Sequence, residues 1–202
     1  MKLWNIARLG LVLMLYAAAA CVGLSFVYTG TLSTIEERSR ADLEASLKEL
    51  FPSADDFDDI TGTITSPDSG ISFSSAFAAR EGGGLAGVIL EASGGSYGGP
   101  VTVLVGAGVG GVISRIKVME HSDTPGLGAN AASPSYYVDK AAGITFYGQF
   151  SGRALTDPLE PKNDLIAITA ATITSRAVAR VVRASGAAAA EWLAANGGKT
   201  DG

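Results

Sequence analysis

The sequence predicts an α+β protein: a single N-terminal transmembrane helix, then a domain of small antiparallel sheets packed by helices. An uncharged apolar stretch near the N-terminus predicts the transmembrane helix. Short strand-like segments separated by Gly, Ser, Asp and Pro predict the sheets. A C-terminal run with apolar residues at helical spacing predicts the main packed helix. The 202 residues suffice for one domain with a small appendage.

Residues 1–30 are predicted to be a membrane anchor with a cytoplasmic N-terminus. Residues 9–35 carry no charge, and most of them are apolar, so the stretch is long enough to span a bilayer. Lys2 and Arg8 are the only charges before Glu36, and positive charge favours the cytoplasmic side. We therefore expect a single-pass protein of the inner (cytoplasmic) membrane, with the bulk of the chain on the extracytoplasmic, periplasmic side.

Two alternatives exist for this N-terminal segment. The alanine run that ends at Ala20 is compatible with a cleaved signal peptide, and Cys21 with a lipidated residue. The apolar stretch continues to Val27, beyond a typical signal core, and Ala18 stands where lipoprotein signals usually have a larger aliphatic residue. A retained anchor is therefore our interpretation.

Residues 31–52 are predicted to form a separate amphipathic connecting helix. Thr34 and Glu37 match a capping box, in which side chains satisfy the free N–H groups of a first helical turn. Pro52 is expected to end the helix, because the residue before a proline disfavours helical geometry.

Residues 53–202 are predicted to form the extracytoplasmic domain, with a motif-bearing core at 97–196. The acidic run at 55–59 lacks the spacing of a calcium loop and is predicted to be a solvated loop. Five short segments then have strand character and are bounded by turn residues. They are residues 60–65, 71–78, 85–91, 101–106 and 112–119.

Two further elements follow from local patterns. The glycine-rich GAGVGG at 106–111 is predicted to be a hairpin turn, because it lies between two predicted strands and no helix follows it. Residues 133–142 are predicted to form a short helix. The aromatic residues Phe146, Tyr147 and Phe150 fit either a pocket wall or the core.

Charge and composition exclude some classes of function. Apart from Lys2 and Arg8, the chain has 13 basic groups (15 − 2) and 20 acidic groups, a net charge of −7. This argues against nucleic acid as a partner, because phosphate binding requires a basic surface. With Cys21 as its single cysteine and His121 as its single histidine, the chain has no material for an intramolecular disulfide or a thiolate cluster, and we predict no metal site.

The chain is organised around residues 163–176, which read NDLIAITAATITSR. An apolar, strand-like run at 165–168 is followed by small residues and a cluster of side-chain hydroxyls. The hydroxyls belong to Thr169, Thr172, Thr174 and Ser175.

A long helix is predicted to begin within this cluster, over residues 174–196. Ser175 is the predicted N-cap, and the Asn-Gly-Gly sequence at 196–198 is the predicted stop signal. Hydroxyls at a helix N-terminus, backed by Arg176, are suited to hold a phosphate through free N–H groups and the helix dipole.

The same stretch resembles a known motif. TAATITSRAV at 169–178 is similar to the flavin-attachment motif of the FMN-binding domain family. Three more blocks similar to that family lie upstream of it, in the order that the family has. Within the family, the chain looks most like the G subunits of Rnf ion-translocating electron-transport complexes. The three upstream blocks are YGGPV at 97–101, HSDTPGLG at 121–128 and FYGQFSG at 146–152.

The resemblance implies a flavin site. The last threonine of the family motif, which forms a phosphoester with FMN, falls on Thr172. The ester would tether the cofactor while its ring stays free for redox chemistry. The other residues predicted to bind the cofactor are Thr169, Thr174, Ser175 and Arg176 beside the phosphate. The resemblance adds Thr124, Gly126 and Leu127 near the ring.

Two positions depart from the family pattern. Ile166 stands where the family has Asp, and Ala170 stands where it has Gly. Asp164 lies two positions too early to replace the Asp. The extra methyl of Ala170 is tolerable unless this backbone position needs a positive φ, a conformation that favours glycine.

The resemblance implies an electron-carrier subunit of a membrane complex that couples ferredoxin and NAD oxidoreduction to ion transport. Its expected partners are integral-membrane and iron–sulfur or flavin subunits, and a flavin transferase for maturation. Three alternatives remain open: a part similar to the C subunit of a sodium-pumping NADH:quinone oxidoreductase, a flavin-free structural or assembly subunit, and a freestanding periplasmic flavoprotein reductase.

Overall fold

A computed structural model describes residues 3–161 and 163–196, and the chain divides into two compact units, residues 1–45 and 46–202. The first unit is formed by helix α1, which spans Leu3–Leu50 and extends into the second unit. Its segment Ala7–Leu32 has a mean hydropathy of 2.2 and is long and apolar enough to cross a bilayer. Lys2, part of the predicted topology signal, lies outside the described residues.

Helix α1 is continuous, which corrects the prediction of a separate connecting helix at 31–52. The helix does not restart at Thr34, because no proline or glycine interrupts residues 31–50. It ends at Leu50, just before Phe51 and Pro52, as the proline predicted.

The second unit contains a five-stranded antiparallel sheet in which each strand pairs with the next along the chain. Four predicted strands are confirmed, and each is longer than expected. The predicted hairpin turn at 106–111 is also confirmed, since Gly108 N–H donates to the Val112 carbonyl across it at 2.9 Å. The strands are β1 Asp56–Asp59, β2 Ile71–Glu81, β3 Gly84–Gly95, β4 Pro100–Gly108 and β5 Ile113–His121.

The first strand corrects two predictions. The acidic run is strand β1 and not a loop, while residues 60–65 form turns and irregular backbone. Pairing with β2 satisfies the backbone of β1 on one side, and Arg80 of β2 forms an ion pair with Asp58. As an edge strand, β1 can keep charged side chains in solvent.

Helix α2, Thr172–Asn196, lies against the central strands β3 and β4 and completes the main core. The predicted start at 174 was two residues late, and the predicted stop signal at Gly197 lies outside the described residues. Phe51 packs on the sheet where glycines leave room: a Cβ on Gly87 would lie 2.4 Å from its ring, and one on Gly106 3.0 Å.

The segment between β5 and α2 contains short elements: a 3₁₀ helix at Gly128–Ala132 and the strand pair β6 Tyr137–Asp139 and β7 Ile144–Thr145. The predicted helix at 133–142 is therefore wrong. The Asp139 carboxylate accepts the N–H groups of Ala141 and Ala142, which stabilises a turn at the end of β6 in place of a helical one.

The apolar run at 165–168 is not a strand. Leu165 forms only an isolated bridge with Pro161, and the rest of the run is irregular. Its two largest buried side chains, Leu165 and Ile168, enter the core, so the hydrophobic pattern reflects burial and not sheet pairing.

Candidate functional site

Three segments of the second unit enclose a cavity of about 430 Å³. They are the turn between β3 and β4, the loop that follows β5, and the start of helix α2. Apolar side chains and hydroxyls together form its wall. The lining residues are Tyr97, Asp123, Thr124, Leu127, Gly128, Ala170, Ala171, Thr172, Ile173 and Thr174.

The loop after β5 is shaped by a tight turn over Thr124–Leu127. Leu127 N–H donates to the Thr124 carbonyl at 3.2 Å, and Gly126 has a φ of 78°. Pro followed by a residue with positive φ is the pattern of a type II turn, in which glycine is strongly preferred at the third position. Thr124 and Leu127 consequently line the cavity, whereas Gly126 shapes the turn without lining it.

A second turn of the same kind precedes helix α2. Ala171 N–H donates to the Ile168 carbonyl at 3.0 Å, and Ala170, the third residue, has a φ of 60°. Besides glycines, only Leu159 and Ala170 have a positive φ in the described part of the chain. Position 170 therefore does need a positive φ, the conformation that the glycine of the family motif favours, and alanine adopts it under strain.

The hydroxyls at the start of α2 have different environments. Ser175 is buried; its Oγ donates to the Ala171 carbonyl at 3.0 Å and accepts the Ile168 N–H at 2.9 Å. It lies one turn inside the helix, so its predicted role as N-cap is wrong, and it instead closes the 168–171 turn. Thr174 is also buried, with its hydroxyl bonded to Asp123.

Thr172 and Thr169 are the two hydroxyl residues left for an external ligand. Thr172 is the first residue of α2, is half-buried and lines the cavity; among the described residues its hydroxyl has no hydrogen-bond partner. Thr169 is exposed on the preceding turn and does not line the cavity. The backbone N–H groups of the first turn of α2 have no acceptor within the helix.

Arg176 does not join this cavity. It is exposed and lines a separate cavity of about 480 Å³ together with Arg180 and Arg183. Arg180 is paired with Asp68 at 2.6 Å, and hydrogen bonds from Arg180 lower the pKa of Asp68 to about 2. Arg176 therefore does not line the cavity that Thr172 lines, and its contact with a phosphate at Thr172 stays a prediction.

Asp123 is a cavity residue that the sequence analysis did not single out. Its carboxylate is only 5% exposed and accepts hydrogen bonds from Ser96 Oγ and the Gly98 N–H, each at 2.7 Å, and from the Thr174 hydroxyl. Burial alone would raise the pKa of this carboxyl, but the three donors, together with a smaller electrostatic effect of His121, outweigh burial and lower it. Asp123 therefore links all three segments of the cavity wall as an ionised group.

The aromatic block at 146–152 belongs to the core and supports the loop before α2. Phe146 and Phe150 are buried and meet edge to face, with ring centroids 5.5 Å apart, so they do not wall the cavity. Gln149 binds the backbone of Ile166 in both directions, accepting its N–H at 2.8 Å and donating to its carbonyl at 3.2 Å. Ile166, which stands in place of the motif Asp, is thus held through its backbone by the Gln149 side chain.

Comparison with known proteins is consistent with this site. Residues 96–185 match the family model of the FMN-binding domain. The chain is 30% identical over 202 residues to the G subunit of the Na⁺-translocating ferredoxin:NAD⁺ oxidoreductase complex of Acetobacterium woodii, covering 90% of this chain and 91% of that protein. It is 33% identical over 150 residues to the G subunit of the ion-translocating oxidoreductase complex of Cereibacter sphaeroides, covering 74% of this chain and 65% of that protein.

Among solved structures, NqrC of Shewanella oneidensis is similar with a TM-score of 0.45 and 18% identity, over 66% of this chain and 65% of that chain. This likeness is too low to add to the comparison of sequences. The nearly full-length match to the Acetobacterium protein and the domain match carry the assignment. The chain belongs to the family of G subunits of ion-translocating oxidoreductase complexes, and its residues 96–185 are an FMN-binding domain.

Proposed function

We propose that this chain is an electron-carrier subunit of a membrane-bound ion-translocating oxidoreductase complex linked to ferredoxin and NAD. FMN esterified to Thr172 and held in the cavity of about 430 Å³ would relay the electrons. Family membership supports the class of complex, and the environment of Thr172 supports the attachment point.

One observation carries the proposal for Thr172. Of the four hydroxyl residues in the motif, it alone both lines the cavity and keeps its hydroxyl free of partners among the described residues. Ser175 and Thr174 use their hydroxyls in internal hydrogen bonds, and Thr169 lies outside the cavity. An alcohol that must form a phosphoester has to be accessible, and Thr172 meets this requirement.

The surroundings fit FMN. The cavity volume lies within the usual range for small-molecule sites, which are mostly apolar with a few placed polar groups. Tyr97 and Leu127 supply apolar surface for a flat ring, and the N-terminus of α2 supplies N–H groups and a positive dipole end for a phosphate. When bound, FMN supplies the electron-accepting and electron-donating chemistry, while the chain binds, orients and shields it.

In-gel flavin fluorescence after denaturation tests the attachment point. The full-length protein is expressed with its flavin transferase, and the wild type is compared with Thr172→Ala, Thr172→Ser and the matched control Thr169→Ala. We expect fluorescent bands for the wild type and Thr169→Ala and a dark band for Thr172→Ala. Thr172→Ser keeps an alcohol at the same position, so it should retain part of the signal.

The outcomes separate the alternatives. A dark wild-type band with flavin released on denaturation would replace the ester by noncovalent binding. A wild type without any flavin would refute the carrier and favour a flavin-free structural or assembly subunit. Fluorescence lost in Thr169→Ala and kept in Thr172→Ala would move the attachment point to Thr169.

The membrane arrangement is part of the proposal. Ala7–Leu32 would anchor the chain with its N-terminus in the cytoplasm, and the FMN domain would then lie on the extracytoplasmic side. A C-terminal alkaline phosphatase fusion should be active, and an inactive fusion together with a fluorescent cytoplasmic reporter would reverse the topology. Copurification with multispanning subunits should identify the complex, and the cofactors of those subunits would distinguish ferredoxin-linked from quinone-linked complexes.

A further inference from the structure

The wall of the cavity contains one buried carboxylate, that of Asp123. It is only 5% exposed, and no lysine or arginine in the described part of the chain forms an ion pair with it. Buried carboxylates without a paired cation are uncommon, because removing a charge from water is unfavourable. The structure stabilises the charge with two hydroxyls and one backbone N–H, and His121 adds a smaller electrostatic attraction.

The space around Asp123 is constrained on the side of the loop. A Cβ on Gly128 would lie 2.5 Å from the Thr174 hydroxyl and 2.7 Å from Asp123 Cβ, so only glycine leaves room for their contact. Ser96 and Gly98 fix the opposite side of the carboxylate from the turn that carries Tyr97. The charge is therefore held at a defined place in the wall.

The cavity is small enough that any bound group interacts electrostatically with the Asp123 carboxylate in its wall. A sphere of about 430 Å³ is roughly 9 Å across, which is close to one Debye length at physiological ionic strength. Screening by salt is also weak for buried groups, because ions cannot enter between them. A bound group that becomes more negative on reduction would be destabilised in its reduced form.

We infer that the fixed negative charge of Asp123 lowers the reduction potential of FMN bound in the cavity. This inference rests on the proposed function, because it requires FMN at this site. A flavin that takes up more electrons than protons gains negative charge, and nearby charge is a means by which a protein tunes flavin chemistry. The three donors and His121 offset only part of the carboxylate charge, and the donors hold it in place.

Redox titration of the purified full-length flavoprotein tests the inference, with Asp123→Asn as the main variant. Asparagine keeps the shape, and the Ser96 and Thr174 hydroxyls can rotate to accept its new N–H donors. We expect the midpoint potential to shift to more positive values. Asp139→Asn is the matched control, because Asp139 also binds backbone N–H groups but does not line the cavity; its potential should equal that of the wild type.

Ser96→Ala gives a second test of opposite sign. It removes one donor, which also raises the pKa of Asp123, so both proteins are titrated over a range of pH up to values at which Asp123 is ionised in each. At those pH values the carboxylate charge is less compensated in the variant, and the potential should become more negative. Unfolding temperatures are measured for both variants in parallel. A purely structural role of Asp123 would lower the unfolding temperature, but it would not shift the two potentials in opposite directions. If Asp123→Asn does not fold, the Ser96→Ala shift decides the inference by its sign.

The failures are distinguishable. A wild type without flavin would overturn the proposed function and this inference together. A wild type with flavin, and an Asp123→Asn variant with the same potential, would overturn the inference alone. Shifts of the same sign in Asp123→Asn and Ser96→Ala would also overturn it, since they would indicate a general loosening of the site.

Discussion

Replacing Ala170 with glycine should stabilise the protein, although glycine usually destabilises. Ala170 has a φ of 60° at the third position of the 168–171 turn and is exposed. The left-handed conformation costs an L-residue about 1–2 kcal/mol, and glycine adopts it freely. Against this gain stands the greater freedom of glycine in the unfolded chain, about 0.4–1 kcal/mol.

The difference is a net stabilisation of about 0.8 kcal/mol. For a domain of this size, 1 kcal/mol corresponds to about 2–4 °C in unfolding temperature, so we expect Ala170→Gly to raise it by about 2–3 °C. Little packing is lost, because the methyl group of Ala170 is exposed. The measurement is thermal unfolding of the full-length protein in detergent, followed by near-ultraviolet circular dichroism.

Ala142→Gly is the matched control. Ala142 is also an exposed turn residue, but its φ is not positive, so the substitution changes only the unfolded chain. It should lower stability by about 0.4–1 kcal/mol. Equal losses in Ala170→Gly and Ala142→Gly would refute the reasoning, because they would show that no strain is relieved at position 170.

Two further predictions concern the turn at the cavity and a surface ion pair. Gly98→Ala should lower the free energy of unfolding in urea by about 1–3 kcal/mol, because a Cβ at this position would lie 2.1 Å from the Ser122 carbonyl oxygen. Gly95→Ala is the control and should have a smaller effect, since the space around Gly95 is open. Equal effects of the two substitutions would contradict the steric argument. Asp68 has its pKa lowered to about 2 by Arg180, so its contribution to stability is present above about pH 4 and is lost as the pH falls toward 2. The stability difference between wild type and Asp68→Asn should shrink over this range, and a constant difference would show that the pair does not titrate as described.

Sequence patterns predicted those parts of the fold that depend on local chemistry. The Pro125-Gly126 pair in the block at 121–128 suits the type II turn that the structure has there. Proline restricts φ to the value that the second position of this turn needs, and glycine accepts the positive φ of the third position. The strands β2 to β5 were predicted for a similar reason, since glycine and other turn residues separate their apolar segments.

Other features depend on contacts that no local pattern encodes. Strand β1 is acidic and forms because β2 offers a partner, and Ser175 lost its predicted capping role because the helix starts two residues earlier. Asp123 lies in the family block at 121–128 but received no role from the sequence, because its environment is formed by Ser96 and Thr174, which are distant in sequence. At position 170 the residue itself gave no sign of a positive φ, and only the glycine of the family motif pointed to this conformation.

The acidic strand β1 also bears on how copies of the protein behave toward one another. An unpaired sheet edge is a template for another strand, and Asp56, Asp58 and Asp59 line the edge beyond β2. A second copy presenting the same edge would bring like charges opposite one another, which is unfavourable across strands. During synthesis and assembly, the charges on this edge therefore oppose strand addition between copies that present the same edge.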